Sequence, residues 1–278
     1  MISRTFSIVG SRIGSLLGLW GTYFVLQMVL MFLIFGMIGA SALSGGFADN
    51  PLAMGAGVIG MMILFYIIYL LISLASTASL VHNASPAINP TFGDSFGAGL
   101  RAIPGLVLLL LLMIVAYIGA IIVLAIVGAI FSALGDAGTV LFGLLVLVGA
   151  VYLSCRLSVM FPVIVVEGVT NPITAIQRSW RLTAGNVLRI FLVLLAFSVL
   201  VVVIIFLLFA LMGGSMMGLG GMAASGGAGS VGAMGAGFLL IMLVFVILGA
   251  LMAIVMASFM ACLHAALAGP EAVAETFQ

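Results

Sequence analysis

Arg156, Glu167, Arg178 and Arg181 lie close together in one stretch, RLSVMFPVIVVEGVTNPITAIQRSWRLTAGN (Arg156 to Asn186), of a chain that is only 5% charged. A guanidinium presents a planar fork of N–H donors that suits carboxylates and phosphates. Two chemistries follow. One is an Arg–Glu–Arg network that fixes the stretch, with Glu167 as the protein partner of Arg156. The other is recognition of an anionic lipid headgroup or phosphodiester by Arg156, Arg178 and Arg181. The network is the plainer of the two.

Other reactive side chains are few. Cys155 and Cys262 are isolated thiols in apolar surroundings, with no CxxC spacing, and read as buried small side chains. His82 and His264 fall near ends of apolar runs and read as packed or interfacial residues. A Cys155–His82 or Cys262–His264 nucleophile pair lacks any group to orient a base. No HExxH or P-loop is present, and the GxSxG spacing at 93–97 and the GxGxxG spacings at 55–60 and 227–232 fall in a chain read as all-helical, with no strand-to-helix turn to carry them. The methionines of 213–237 have irregular spacing and no Cys or His beside them, which argues against a soft-metal site. The sequence therefore assigns no catalytic residue, cofactor or metal.

The elements that position the arginine cluster are apolar runs. The chain is 66% hydrophobic with mean hydropathy +1.54, against about 45–50% apolar residues in an ordinary globular domain. Six runs, at roughly 17–40, 54–80, 103–133, 139–163, 187–212 and 238–266, each exceed the ~20 residues that cross a bilayer. None alternates with period two, so the spans are helices and not barrel strands. The reading is an all-α membrane protein, one integral membrane domain over 1–278. The run after MISRTFSIVGSR is too long for a cleavable signal and is expected to stay as an anchor.

All seven basic residues are Arg: Arg4, Arg12, Arg101, Arg156, Arg178, Arg181 and Arg189. With six spans every one falls on the same side, which the positive-inside rule makes the cytoplasm, and both termini with it. The connections 41–53, 134–138 and 213–237 carry no basic residue. The last, rich in Gly, Met, Ala and Ser, reads as a flexible periplasmic loop. A net charge of +1 gives no field that would recruit nucleic acid.

Each cytoplasmic segment leading into a span is amphipathic. Phe6, Val9, Ile13, Leu16 and Trp20 form one stripe, and Gly10, Gly14 and Gly18 repeat every fourth residue, as in close helix contacts. Phe92, Phe96, Leu100 and Ile103 form another, with Thr91 and Asp94 as a capping box and Pro104 where the chain turns into the bilayer. In the third, Asn171 caps, Pro172 starts a helix, Ile173, Ile176 and Trp180 face one way, and Gly185 stops it before Asn186 caps the fifth span. Three repeated units follow, each a short interfacial helix and a transmembrane hairpin. Pro162 bends or ends the fourth span.

The runs R-L-S-x-M-F-P-V-I-V-V-E-G and N-P-I-T-A-I-x-R-S-W-R-L-T-A-G-N resemble the glycerophosphoryl diester phosphodiesterase membrane-domain family and related bacterial six-helix proteins. The matching positions are Arg156, Pro162, Glu167, Gly168, Pro172, Ala175, Ser179, Trp180, Leu182, Gly185 and Asn186. PTFGDSFGAGLRAIPGL is similar to that family's approach to its third span. The resemblance implies six helices in a bacterial inner membrane. It does not carry over the phosphodiesterase reaction, which belongs to a separate soluble barrel.

The function expected from these residues is non-catalytic, exerted through membrane lipids, anionic headgroups among them, or as a scaffold or accessory subunit with a protein partner or a second copy. Polar groups inside the spans are sparse, whereas transport of a polar solute needs them near mid-membrane. The alternative is a transporter or permease for a small amphiphilic or hydrophobic molecule. Its support is the repeated unit and the glycine-rich spans (Gly36, Gly39, Gly55, Gly57, Gly60, Gly128), which also suit close helix packing. A lipid-accessible cavity lined by Tyr69, Ser73, Ser76, Thr77 and Ser79 favours transport; a compact bundle without one favours the accessory role.

Overall fold

The structure, a computed structural model, describes the backbone of residues 2–43, 51–224 and 228–274 and the side chains of 3–40, 57–206, 239 and 242–269. Among the described residues eight helices follow in order: α1 (Ile2–Leu43), α2 (Pro51–Ala84), α3 (Phe92–Ser132), α4 (Asp136–Leu157), α5 (Met160–Val166), α6 (Pro172–Leu182), α7 (Val187–Ala224) and α8 (Ala228–Ala274). Six segments among the described residues are long and apolar enough to cross a bilayer: Ser3–Ala40, Gly57–Ala84, Phe92–Ser132, Asp136–Val166, Val187–Phe206 and Met242–Gly269. The chain is a polytopic α-helical membrane protein. In hydrocarbon every backbone N–H and C=O needs a partner within its own segment, and only continuous helix supplies that to these runs.

The lead-in segments differ from the expected three equal units. The first is continuous with its span in α1 and is set off only by a kink at Arg12 (φ −119°, ψ 16°). The second opens α3, which runs on through Pro104 without turning. Its capping box is in place: Thr91 Oγ1 accepts from the Asp94 amide, and the Asp94 carboxylate accepts from the Thr91 amide. Only the third, α6, is a separate helix, with the Asn171 side chain accepting from the Ile173 amide at 2.9 Å and Pro172 in its first turn.

The fourth span is broken. Pro162 has no N–H for the Ser158 carbonyl and its ring crowds that oxygen. The helix accordingly stops at Leu157 and restarts at Met160, just before the proline. The stretch 213–237, expected as a flexible loop, is mostly helix: α7 runs to Ala224 and α8 begins at Ala228, with 225–227 outside the described residues. Alanine and methionine are good helix formers, and α7 is about 57 Å long at 1.5 Å per residue, well beyond a ~30 Å hydrocarbon core.

The buried core lies at the arginine end. Leu16 and Leu19 of α1, Ala78 and Val81 of α2, Leu106 of α3, Val163 of α5, Ala175 of α6, and Ile254 and Ala261 of α8 form its centre. Towards the other end the helices present apolar side chains outward, among them Phe32, Leu33, Val115, Val148 and Val202. A hydrocarbon surround leaves no hydrophobic drive to bury these, so they stay in lipid. Close approach is local: at Gly99 a Cβ would collide with the Ser79 hydroxyl and come within 2.6 Å of the Ala75 carbonyl, so only glycine lets α3 lie this close to α2. Gly10, Gly14, Gly36, Gly39, Gly57 and Gly60 face open space instead, so their spacing does not mark a contact within the chain.

Candidate functional site

The arginine end is built from a latch and an elbow. Arg12, at the α1 kink, sends one terminal nitrogen to the carbonyls of Asn83 (2.6 Å) and Ser85 (3.3 Å), and the other to the Ile88 carbonyl (3.1 Å) and the Asn89 side chain. These carbonyls lie at and just past the C-terminus of α2, where backbone acceptors are orphaned and the helix dipole is negative. Buried Asn83 continues the polar thread: it accepts from the Ser15 hydroxyl (2.8 Å) and donates to Ser95 (3.0 Å).

The elbow is held differently from the expected Arg156–Glu167 pair. Arg156 Nε donates to the Tyr152 hydroxyl and a terminal nitrogen to the Trp180 carbonyl, each at 3.0 Å. Its guanidinium carbon lies 4.9 Å from the Trp180 ring centroid and 5.3 Å from that of Tyr152. In return the Ser179 hydroxyl donates to the Arg156 carbonyl at 2.7 Å. The reason is the break at 158–159: α6 folds back across the end of α4 and brings Ser179 and Trp180 to Arg156, while α5 carries Glu167 away.

Glu167 is paired instead with Arg178 and His264. Arg178 Nε donates to one carboxylate oxygen at 3.1 Å, and His264 Nε2 meets the other at 2.9 Å. His264 is 2% exposed. Burial pushes the carboxyl upward, but the bond from His264 and the charge of Arg178 outweigh it and hold Glu167 below its ordinary value. Gly168, directly after, takes φ +69°, the left-handed position that ends α5 and favours glycine.

The remaining motif positions frame this elbow. Pro162 and Ala175 are buried, Pro172 and Asn186 half-buried, and Gly185 turns the chain at φ +76° into α7. Arg181 is exposed and takes no part in the network. On α6 the face turned to the protein is Ala175 and Ser179, whereas Ile173 and Trp180, two of the three residues of the expected apolar stripe, are exposed. Arg156 and Arg178 each have protein partners, and Arg181 lies outside that network.

A second constellation lies within the spans. A cleft of about 270 Å³ opens between α1, α2 and α8, lined by Trp20, Gln27, Tyr69, Ser73, Ser76, Thr77, Leu80, Ala253, Met256, Ala257 and Met260. Thr77 and Tyr69 lie about 10 and 22 Å along α2 from its end at Ala84, at 1.5 Å per residue, so their span brackets the middle of a ~30 Å core. Tyr69 is exposed, and Gln27, Ser73, Ser76 and Thr77 are half-buried, so the cleft is reached from the side. Thr77 donates to the Ser73 carbonyl. The Gln27 amide and the hydroxyls of Tyr69, Ser73 and Ser76 have no hydrogen-bond partner among the described residues. Ser79, expected in this lining, is instead buried and bonded to the Tyr23 hydroxyl at 2.9 Å. Gln27 and the α8 methionines were missed from the sequence; a lone glutamine in the apolar run at 17–40 was the available signal.

Comparison with protein-family models, with curated proteins and with solved structures finds no match to this chain.

Proposed function

We propose that this protein is a non-catalytic carrier or permease that takes an amphiphilic molecule from the bilayer into the cleft between α1, α2 and α8. One observation carries the reading: four polar groups without a hydrogen-bond partner among the described residues, on Gln27, Tyr69, Ser73 and Ser76, line one lipid-facing cleft near mid-membrane. Polar groups at that depth are costly unless bonded. A molecule with a polar head and an apolar body satisfies both walls, since Trp20, Leu80, Ala253, Met256, Ala257 and Met260 supply the other. The kinship proposed above, with its bacterial inner membrane, rests on the elbow residues. The arginine end is taken as cytoplasmic under the positive-inside rule.

In this account the elbow is structural: it fixes α6 and α8 at the cytoplasmic boundary so that the cleft keeps its width. Mass spectrometry of the protein extracted gently with its lipids tests the reading. One class of amphiphile should remain bound to the native chain and be lost from Ser73→Leu/Ser76→Leu. A bilayer-average lipid profile that the double variant leaves unchanged, with a stoichiometric protein partner instead, would transfer support to the accessory role.

A further inference from the structure

The cleft's lining also states what kind of head it accepts. We propose that its ligand is an uncharged amphiphile with a hydroxyl or amide head, of the diacylglycerol or long-chain-alcohol class, and not an anionic phospholipid. This rests on the cleft reading above and narrows it.

Every polar group on the lining is neutral: an amide on Gln27 and hydroxyls on Tyr69, Ser73, Ser76 and Thr77. Together they offer both donors and acceptors, which a hydroxyl head can use in full. No arginine lines it. Arg12, the arginine nearest along α1, has both terminal nitrogens bonded to the α2–α3 connection, and Arg156 and Arg178 are held in the elbow. A phosphate drawn to Ser73, about 16 Å along α2 from Ala84, would therefore be buried in hydrocarbon without a counter-charge, the costliest arrangement available to it. A hydroxyl head leaves the interface at far lower cost. The apolar wall fits a chain of variable shape: Met256 and Met260 are unbranched and adaptable, and Ala253 and Ala257 leave room on α8 between them.

Trp20 lines the cleft and the chain has only one other tryptophan, Trp180, so a Trp180→Phe protein reports on the cleft through Trp20 alone. In neutral detergent, quenching of Trp20 would be titrated with diacylglycerol, phosphatidylglycerol and phosphatidylcholine, each brominated on its chains. Diacylglycerol should quench saturably at a concentration about tenfold or more below either phospholipid, and Gln27→Leu should raise its half-saturation by about tenfold, the loss of one buried hydrogen bond. Ser76→Ala, the smaller change, repeats the test where Gln27→Leu fails to fold. Phosphatidylglycerol quenching as well as diacylglycerol, or better, overturns the neutral-head inference and leaves the cleft reading standing. Absence of saturable quenching by any of the three overturns both.

Discussion

His264 Nε2 stands 2.9 Å from Glu167 Oε1 across ninety-seven residues of sequence, and this bond joins the elbow to the last described span. It reaches from just past the end of α5 to the buried face of α8. Removing the carboxylate leaves a buried imidazole without its partner and frees Arg178. Glu167→Ala should lower stability by on the order of 2 kcal/mol, the cost of an orphaned buried polar group. Thermal unfolding in mild detergent checks this, with His264→Ala giving a similar loss and the double variant less than the sum.

The same carboxylate sets an acid limb. Glu167 is held below its free value of 4.5 in the folded protein. Its stabilising contribution is therefore complete above pH 4.5 and is lost as the pH falls through the lower, folded value. Melting temperatures taken from pH 7 downward should show the limb in the native chain. In Glu167→Gln the limb should be reduced, because no proton is taken up there on unfolding.

Arg156 and Trp180 form the other half of the elbow, through a carbonyl bond and a stacked ring. A lysine ammonium cannot reproduce the planar fork. Arg156→Lys should destabilise the protein, and a double-mutant cycle with Trp180→Leu should return a coupling of about 0.5–2 kcal/mol. Additive losses would show that the two side chains act separately.

Gly99 gives a packing test. A methyl group there meets Ser79 and the Ala75 carbonyl, and α2 must move away. Gly99→Ala should cost about 1–3 kcal/mol through overpacking, while Gly14→Ala, which faces open space, should be neutral or slightly stabilising. Unfolding of the two variants side by side measures the difference.

Much of this architecture was legible in the order of residues, and the reasons are physical. Hydrocarbon imposes length and composition on a span, so the six runs were plain. Caps are local, so the Thr91–Asp94 box and the Asn171–Pro172 start were readable within four residues. The pairing of Glu167 was not: two arginines lay nearby in sequence, and His264 was close only after α8 packed. Arg156 turned to Trp180 because Pro162 broke the helix upstream of itself, a backbone event whose direction composition does not give. The stretch 213–237 misled because glycine's cost is a penalty measured in water. The cleft was half-legible: Tyr69, Ser73, Ser76 and Thr77 repeat on one face of α2, but the walls from α1 and α8 came from tertiary packing.

The central claim, that the cleft receives an amphiphile laterally from the bilayer, is tested most directly by crosslinking in the membrane. A diazirine-bearing residue at Tyr69, on the cleft rim, is compared with one at Val199, an exposed apolar position on α7. Label at position 69 should capture one lipid class and be competed away by added neutral amphiphile, while label at position 199 should sample bulk lipid and resist competition. Identical, non-competable lipid profiles from the two positions would contradict the account.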